Sequence, residues 1–583
     1  MQARTDLDAS ATARTLLLTV VITTHDRPDA VRRALASVQD QTDPGDVQIV
    51  VVDDGSRPDV AVELDELAGG QVVVLHQEDL GLGTARRTGA SVASGRWLTF
   101  LDDDDRWLPN WSDSVVPRLV DEVAVVSGGA RFTDPDGRHL GDDLPRPLGP
   151  LFSGLSAQYL AGCFAVRADV YTAAGGYLPG LSCSHQTELF IRIGHVCREL
   201  GLSTDSIDAA IVEIERRPAR SRSLSNPRLL LDGARWMLAR HAESFAADPD
   251  LRADTQAVVA VNAARSGRLD LARGAAWSSV RSRPADPRGL ARLAAASIPP
   301  VARRVWRGSE FTSPSPPLRD PLAHVAALRE RSKGSDRDEP DLLFLPWRYR
   351  QNTQASIDDA GPYWTGGRGD GDGRAQAPVY RLAGRLARRR DASTVVDVGC
   401  GTGDKLVRYV APHVDEVIGL DQGSGLAHAK QRFPSYRWIE VDLGSDAGWG
   451  SVVGSAADLV ICADVIEHVD DPYLLLRRLH GLVGARGTVV LSTPDRSRLE
   501  RGGVSGPPHN PRHVREWSAA ELELLVEAAG FSVVRRRHLL PRRYSPSRTD
   551  LNRTAYRALH GRAVPDRRSC LVLEMRARPV RNV

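Results

Sequence analysis

Four consecutive aspartates, Asp102–Asp105, stand directly behind the apolar run Trp97–Leu101 of this 583-residue chain. Adjacent carboxylates repel one another, so such a run gains nothing from being packed unless something positive sits beside it. A hard divalent cation such as Mg²⁺ or Mn²⁺ suits the place, taking oxygen from one or two carboxylates and from substrate phosphates. An acidic run by itself is more often a solvated turn, so its neighbours have to decide. Two more polar clusters follow apolar runs in the same way: Thr24-His25-Asp26-Arg27 after Leu16–Thr23, and Asp53-Asp54-Gly55-Ser56 after Val47–Val52. In the last third, Asp397-Val398-Gly399-Cys400-Gly401-Thr402-Gly403 closes the run from Thr394, and Asp421 closes Glu416–Leu420. Asp442 follows Tyr436–Val441, and Asp464, Glu467 and His468 follow Ala457–Ile461. Glycine is needed where backbone approaches a ligand or takes positive φ, and an acidic residue ending the next strand can bind both hydroxyls of a ribose.

The elements that must position these groups are legible as patterns. Continuous apolar runs rich in β-branched residues suit strands buried on both faces. Between them lie helical segments: one capped by Asp29, with Val31, Leu35 and Val38 on one face, and one through Ala85–Ala93 after Gly81-Leu82-Gly83. Strands alternating with helices imply a parallel α/β sheet with ligands at the carboxyl ends of its strands. Leu229–His241, Thr255–Ser266 and Leu269–Arg281 are alanine-rich and amphipathic, as in a helical hairpin or two. Before them, Arg216, Arg217, Arg220, Arg222 and Arg228 form a run that is either a diphosphate clamp or a solvated face. Gly308–Pro317 and Arg329–Pro340, flanking a short helix at Pro321–Leu328, have the composition of linkers.

Composition narrows the class. Net charge is only +2, which argues against a nucleic-acid partner. Six cysteines lie far apart with no C-x-x-C pair, suggesting neither zinc nor a disulfide framework. No apolar run approaches the roughly 20 residues of a membrane span, and the N-terminus lacks a signal-peptide pattern. The cytoplasm is the expected compartment, with peripheral membrane association left open.

The segments Val20–Pro28 (VVITTHDRP), Val50–Ser56 (VVVDDGS) and Gly81–Pro109 (GLGTARRTGASVASGRWLTFLDDDDRWLP), in that order, resemble the family-2 glycosyltransferases with the GT-A fold. The resemblance implies that Asp102 and Asp104 are a D-x-D pair holding a divalent metal (Mn²⁺ or Mg²⁺) against the diphosphate of a nucleotide sugar. It implies a nucleotide pocket lined by Thr24, Asp54, Arg86 and Asp102. The family's proton acceptor is an acidic pair opening a helix, and the matching stretch Ser184–Ile193 carries His185-Gln186 instead. His185 and Glu188 are the candidates to replace it. Glu188 and Arg192, four apart, would otherwise form an ion pair on the helix surface.

The C-terminal segments, with G-x-G-x-G at Gly399, Gly401 and Gly403 and the stretch Cys462–Pro472 (CADVIEHVDDP), resemble the class I methyltransferases that use S-adenosylmethionine (SAM). The resemblance implies that Asp397 and these glycines cradle the methionine part, Asp421 holds the ribose, Asp442 stands near the adenine amine, and Asp464 lies beside the cofactor. A nicotinamide dehydrogenase is the competing reading, disfavoured by the glycine spacing. Gly506–Trp517 resembles an acceptor-side segment of sugar and small-molecule methyltransferases. His468, His509 and His513 are candidate bases there, and Glu467 with His468 could instead hold a metal.

The expected fold class is therefore α/β, with two Rossmann-like doubly wound domains joined by a helical segment and linker. The expected division is a flexible leader at 1–14, the GT-A domain at 15–228, a helical extension at 229–306, a linker at 307–340 and the methyltransferase domain at 341–583. The expected function is bifunctional: inverting sugar transfer from a nucleotide sugar to a glycan or small-molecule acceptor, and SAM-dependent O-methylation in the same pathway. The alternative is an active methyltransferase carrying a non-catalytic, sugar-nucleotide-binding or scaffolding domain.

Overall fold

A computed structural model of the chain describes residues 16–43, 45–181, 183–216, 226–298, 301, 343–352, 355, 369–445, 447–452, 456–499, 506–508, 510–539 and 570–578. The leader 1–14, Arg217, Arg220 and Arg222, both linkers with the helix between them, and His509 lie outside the described residues. The chain divides into two compact units, residues 1–237 with 244–309 and residues 238–243 with 310–583.

In the first unit the strands are β1 Leu18–Thr24, β2 Val47–Asp54, β3 Val72–Gln77, β4 Trp97–Asp102, β5 Asp105–Trp107, β6 Val123–Thr133, β7 His139–Asp143, β8 Arg146–Pro147, β9 Ser156–Ala157, β10 Phe164–Arg167 and β11 Ser203–Glu215. Nine of them form one sheet in the order β3-β2-β1-β4-β10-β6-β11-β5, with β7 added on β6. β3, β2, β1 and β4 run parallel, while β10 runs antiparallel to both β4 and β6. Every residue of β1 is buried, as its unbroken apolar character requires of a strand covered on both faces. Register does the positioning: Thr23 pairs with Asp102 and Thr24 with Asp53, so the polar ends of β1, β2 and β4 meet along one edge.

The helix after β1 begins at Pro28, whose missing N–H costs nothing in a first turn. Asp29 is not its cap. The capping position is Arg27, with no side-chain bond, and Asp29 sits inside the first turn, where it favours the helix dipole. Helix Leu82–Ser91 lies so close to the sheet that a Cβ on Gly89 would meet Val21 Cγ1 at 2.4 Å. Helices Pro249–Arg265, Leu269–Ser282 and Pro287–Ser297 complete the unit, the first and last capped by the side chains of Asp248 and Asp286.

The second unit holds β12 Thr394–Val398, β13 Glu416–Asp421, β14 Arg437–Glu440, β15 Ala457–Ala463, β16 Val483–Pro494, β17 Phe531–Leu539 and β18 Cys570–Ala577. Their order is β14-β13-β12-β15-β16-β18-β17. The first five are parallel and β18 is antiparallel to both its neighbours. Helix Gly369–Arg389 buries Val379, Leu382, Ala383 and Leu386 in a cluster with Val395, Val417, Leu459 and Ile461 of the sheet. All six cysteines are free thiols, and all are buried.

Candidate active sites

The aspartate run alternates. Asp102 and Asp104 keep partly exposed side chains, 29% and 46%, whereas Asp103 and Asp105 are buried. Asp103 and Asp104 make the turn between β4 and β5, and that turn sends Asp103 inward and Asp104 outward. Asp103 accepts a hydrogen bond from Thr24 Oγ1 at 2.7 Å and pairs with Arg27 Nη2 at 2.6 Å. Burial nevertheless pushes its carboxyl up to about 7. Arg27 Nη1 also donates to Asp104 at 2.7 Å. The buried Arg86 pairs with Asp102 and lies over the ring of Tyr177, 5.3 Å from its centroid. Two arginines thus offset charge on three aspartates.

The other strand ends support this edge from beneath. Asp54 accepts from Gln77 Nε2 at 2.7 Å, from Leu80 N at 2.9 Å and from Gly81 N at 3.0 Å, which fixes the turn that opens helix Leu82–Ser91. Asp53 accepts from Ser56 N and from His76 Nδ1. Thr24 and Asp54 are therefore buried and bonded inward, whereas Asp102 and Asp104 keep partly exposed carboxylates.

Both candidate bases are buried and engaged inside the protein. His185 opens helix His185–Leu200, yet its ring is buried and Nε2 donates to Leu181 O at 2.7 Å. Burial, then the nearby Arg86 charge, lowers it to about 4. Glu188 is fully buried, and both its oxygens are bonded to Arg192. The i,i+4 pair forms as its spacing implies, but inside the protein rather than on the helix surface. Gln186 occupies the remaining place: with its amide oxygen toward Arg86 it accepts from Nη1 at 2.9 Å and Nη2 at 3.1 Å. An amide there extends the Arg86–Asp102 pair and cannot act as a base.

In the second unit Gly399, Gly401 and Gly403 all take positive φ, at 79°, 56° and 73°. A Cβ on Gly399 would meet Val465 Cγ2 at 2.3 Å, and one on Gly403 would meet Trp438 at 2.4 Å. Asp421 ends β13 and binds the loop directly, accepting from Gly401 N and from Gln422 N. Asp397 lies one layer deeper. It is wholly buried, accepts from Tyr380 Oη at 3.0 Å, and burial lifts it to about 7. Lys405 stands nearby, its Nζ donating to Gln376 at 2.7 Å, and burial holds it below the usual lysine range. Asp442 lies two residues beyond β14 in an exposed turn, accepting from Gly444 N at 2.8 Å and Ser445 Oγ at 2.7 Å.

Asp464, at φ 55°, accepts from Ser492 Oγ at 2.8 Å. Beyond it Glu467 is completely buried, with Thr493 Oγ1 donating to Oε2 at 2.9 Å, and burial followed by the Asp464 charge raises it to about 8. His468 and His513 meet edge to face, ring centroids 4.8 Å apart.

Residues 19–171 match the family model for glycosyl transferase family 2, and residues 370–536 match the model for a methyltransferase domain. The chain joins a family 2 glycosyltransferase domain to a class I methyltransferase domain. The methyltransferase domain is 33% identical over 161 residues to a probable S-adenosylmethionine-dependent methyltransferase of Mycolicibacterium smegmatis, covering 27% of this chain and 59% of that one. The glycosyltransferase domain is 30% identical over 119 residues to glycosyltransferase GlyA of Streptococcus pneumoniae, covering 20% of this chain and 17% of that one. A crystal structure of S. aureus TarS 1–349 aligns over 51% of this chain and 93% of its own, with 13% identity and a TM-score of 0.35. The alignments thus leave part of the mycobacterial relative and most of the streptococcal one unmatched.

Several working residues of the two domains escape a reading by motif. Arg27 in the glycosyltransferase domain belongs to the polar cluster singled out after the first strand, yet its double pairing with Asp103 and Asp104 depends on the fold. In the methyltransferase domain Tyr380, Gln376 and Thr493 carry no local signal, because their partners Asp397, Lys405 and Glu467 lie 17, 29 and 26 residues away, whereas Glu516 meets His513 only three residues off inside the stretch Gly506–Trp517.

Proposed function

We propose that the chain is a bifunctional enzyme: a metal-dependent inverting glycosyltransferase that uses a nucleotide sugar, and a SAM-dependent methyltransferase acting on oxygen of a sugar or small molecule. The alternation of the aspartate run carries the first half. Two partly exposed carboxylates one residue apart suit a hard cation that completes its shell with phosphate oxygens. Asp102 and Asp104 would hold Mn²⁺ or Mg²⁺, which supplies Lewis-acid stabilisation of the leaving diphosphate. Arg86 and Arg27 keep the pair from repelling itself. Asp103, sealed behind Thr24, fixes the turn.

The glycine loop carries the second half. Its three positive-φ glycines suit close approach of a ligand backbone, and Asp421 supports the loop from the ribose side. SAM supplies an activated methyl group, so positioning provides much of the rate. Asp464 belongs beside the cofactor, and His468 and His513 on the acceptor side. Among the described residues no helix is long and apolar enough to cross a membrane. Operation in the cytoplasm, with a nucleotide-sugar donor and a glycan or metabolite acceptor, is part of the same proposal.

A second reading is favoured by one observation: the place of the expected base is filled by an amide, and both neighbouring candidates are buried and bonded inside the protein. In that reading the glycosyltransferase domain binds a sugar nucleotide without turning it over. Full-length protein incubated with a panel of nucleotide sugars and Mn²⁺ separates the two. Turnover that falls at least a hundredfold in Asp104→Asn supports catalysis, on the scale of lost charge stabilisation. Binding of a nucleotide sugar with no turnover of any donor supports the second reading.

A further inference from the structure

Beside the glycine loop the methyltransferase domain brings together one carboxylate and two imidazoles. Glu467 is 0% exposed; its Oε2 is held by Thr493, and its Oε1 is buried with no hydrogen-bond partner. An orphaned buried oxygen of this kind is costly unless a cation or donor completes it. His468 donates Nδ1–H to Arg512 O at 3.0 Å, and His513 donates Nδ1–H to Glu516 Oε1 at 2.6 Å. Both rings therefore commit Nδ1–H to fixed acceptors, which in the neutral ring leaves Nε2 as the lone-pair nitrogen. Outer-shell bonding of this type orients metal-binding histidines and raises their basicity. His513 Nε2 now accepts from Asn510 Nδ2 at 2.7 Å, and Asn510 Oδ1 is itself held by Arg512 N at 3.1 Å. The amide's orientation is thus fixed, and it marks Nε2 as the lone-pair nitrogen. A carboxylate oxygen of Glu467 and one ring nitrogen from each histidine all lie within 4.8 Å of one another.

We propose that Glu467, His468 and His513 form a second metal site, for a borderline ion of the Zn²⁺ class. Two imidazoles and one carboxylate select such ions, in contrast to the all-oxygen pair Asp102 and Asp104. Glu516 and Thr493 are its positioning residues. Its role rests on the methyltransferase reading: the ion binds the acceptor's hydroxyl oxygen and makes it more acidic. The O–H proton leaves to water, and the oxygen's electron pair forms the new O–C bond to the sulfonium methyl. The C–S bond breaks, and its pair returns to sulfur as a neutral thioether.

The test uses the full-length chain carrying Asp104→Asn, which disables the aspartate pair of the other domain. The protein is stripped with a chelator and titrated with Co²⁺ alone. The expected result is one Co²⁺ per chain, with visible bands of nitrogen ligation that Zn²⁺ displaces. His468→Ala and His513→Ala should each abolish those bands while circular dichroism stays unchanged. Glu516→Gln leaves every ligand in place and should weaken Co²⁺ binding about 10- to 100-fold. Calorimetric binding of SAM to the parent chain keeps the two ideas apart. SAM binding without any Co²⁺ uptake overturns the metal site and leaves the methyltransferase reading intact. Co²⁺ uptake with these bands but no SAM binding supports the site and removes its assigned role. Bands that persist in His513→Ala overturn the site.

Discussion

Asp397 and Tyr380 face each other where no water reaches, and the carboxyl is held at about 7 against 3.8 for a free aspartate. Between those values the folded protein carries a proton that the unfolded chain has already lost. Raising pH through that window therefore favours unfolding, by roughly 1.4 kcal/mol per pH unit for one group, and the loss levels off above the folded value. Asp397→Asn keeps an acceptor for Tyr380 and removes the titration. Denaturant midpoints measured between about pH 5 and about pH 7 should fall in the parent protein and stay flatter in the variant. An equal slope in both would sink the assignment. Reading the sequence finds Asp397 and cannot foresee this environment, because Tyr380 lies on a helix and its contact is decided by packing. Glu188 teaches the same point. Its spacing from Arg192 announces the pair, but Arg192 also donates to Ala174 O, so distant chain buries what local pattern places on a surface.

At the scale of elements, the strand ends do most of the work. Runs such as Val47–Val52 and Leu16–Thr23 declare themselves because a strand covered on both faces is apolar at nearly every position. β11 and β17 do not declare themselves. β11 mixes buried and exposed residues along its length, and β17 carries Arg535, Arg536 and Arg537. Each is a strand through its partners, β6 and β5 for one and β18 for the other, which is tertiary context overriding propensity. The turn after β12 gives a prediction of its own. Gly399→Ala would place a methyl 2.3 Å from Val465 Cγ2 at a φ of 79°, a strain of about 1–3 kcal/mol if the loop held its shape. The loop should shift instead, weakening SAM binding at least tenfold by calorimetry while circular dichroism reports an intact sheet. Unchanged affinity would show that the loop does not cradle the ligand.

For the molecule as a whole, each unit owns a hydrophobic cluster built around its sheet. Calorimetric unfolding should therefore show two transitions. SAM at about 100 times its Kd should stabilise its domain by about 2.7 kcal/mol, raising one transition by roughly 5–10 °C at this domain size. A nucleotide sugar with Mn²⁺ should raise the other. A single transition moved equally by both ligands would contradict independent sites. The sealed thiols add a practical consequence. With all six cysteines buried, a cysteine introduced at an open position such as Val62, 66% exposed, or Val534, 51% exposed, becomes the sole group a maleimide dye can reach. Placing both gives a fluorescence ruler, and the chain can be watched while each donor is added in turn.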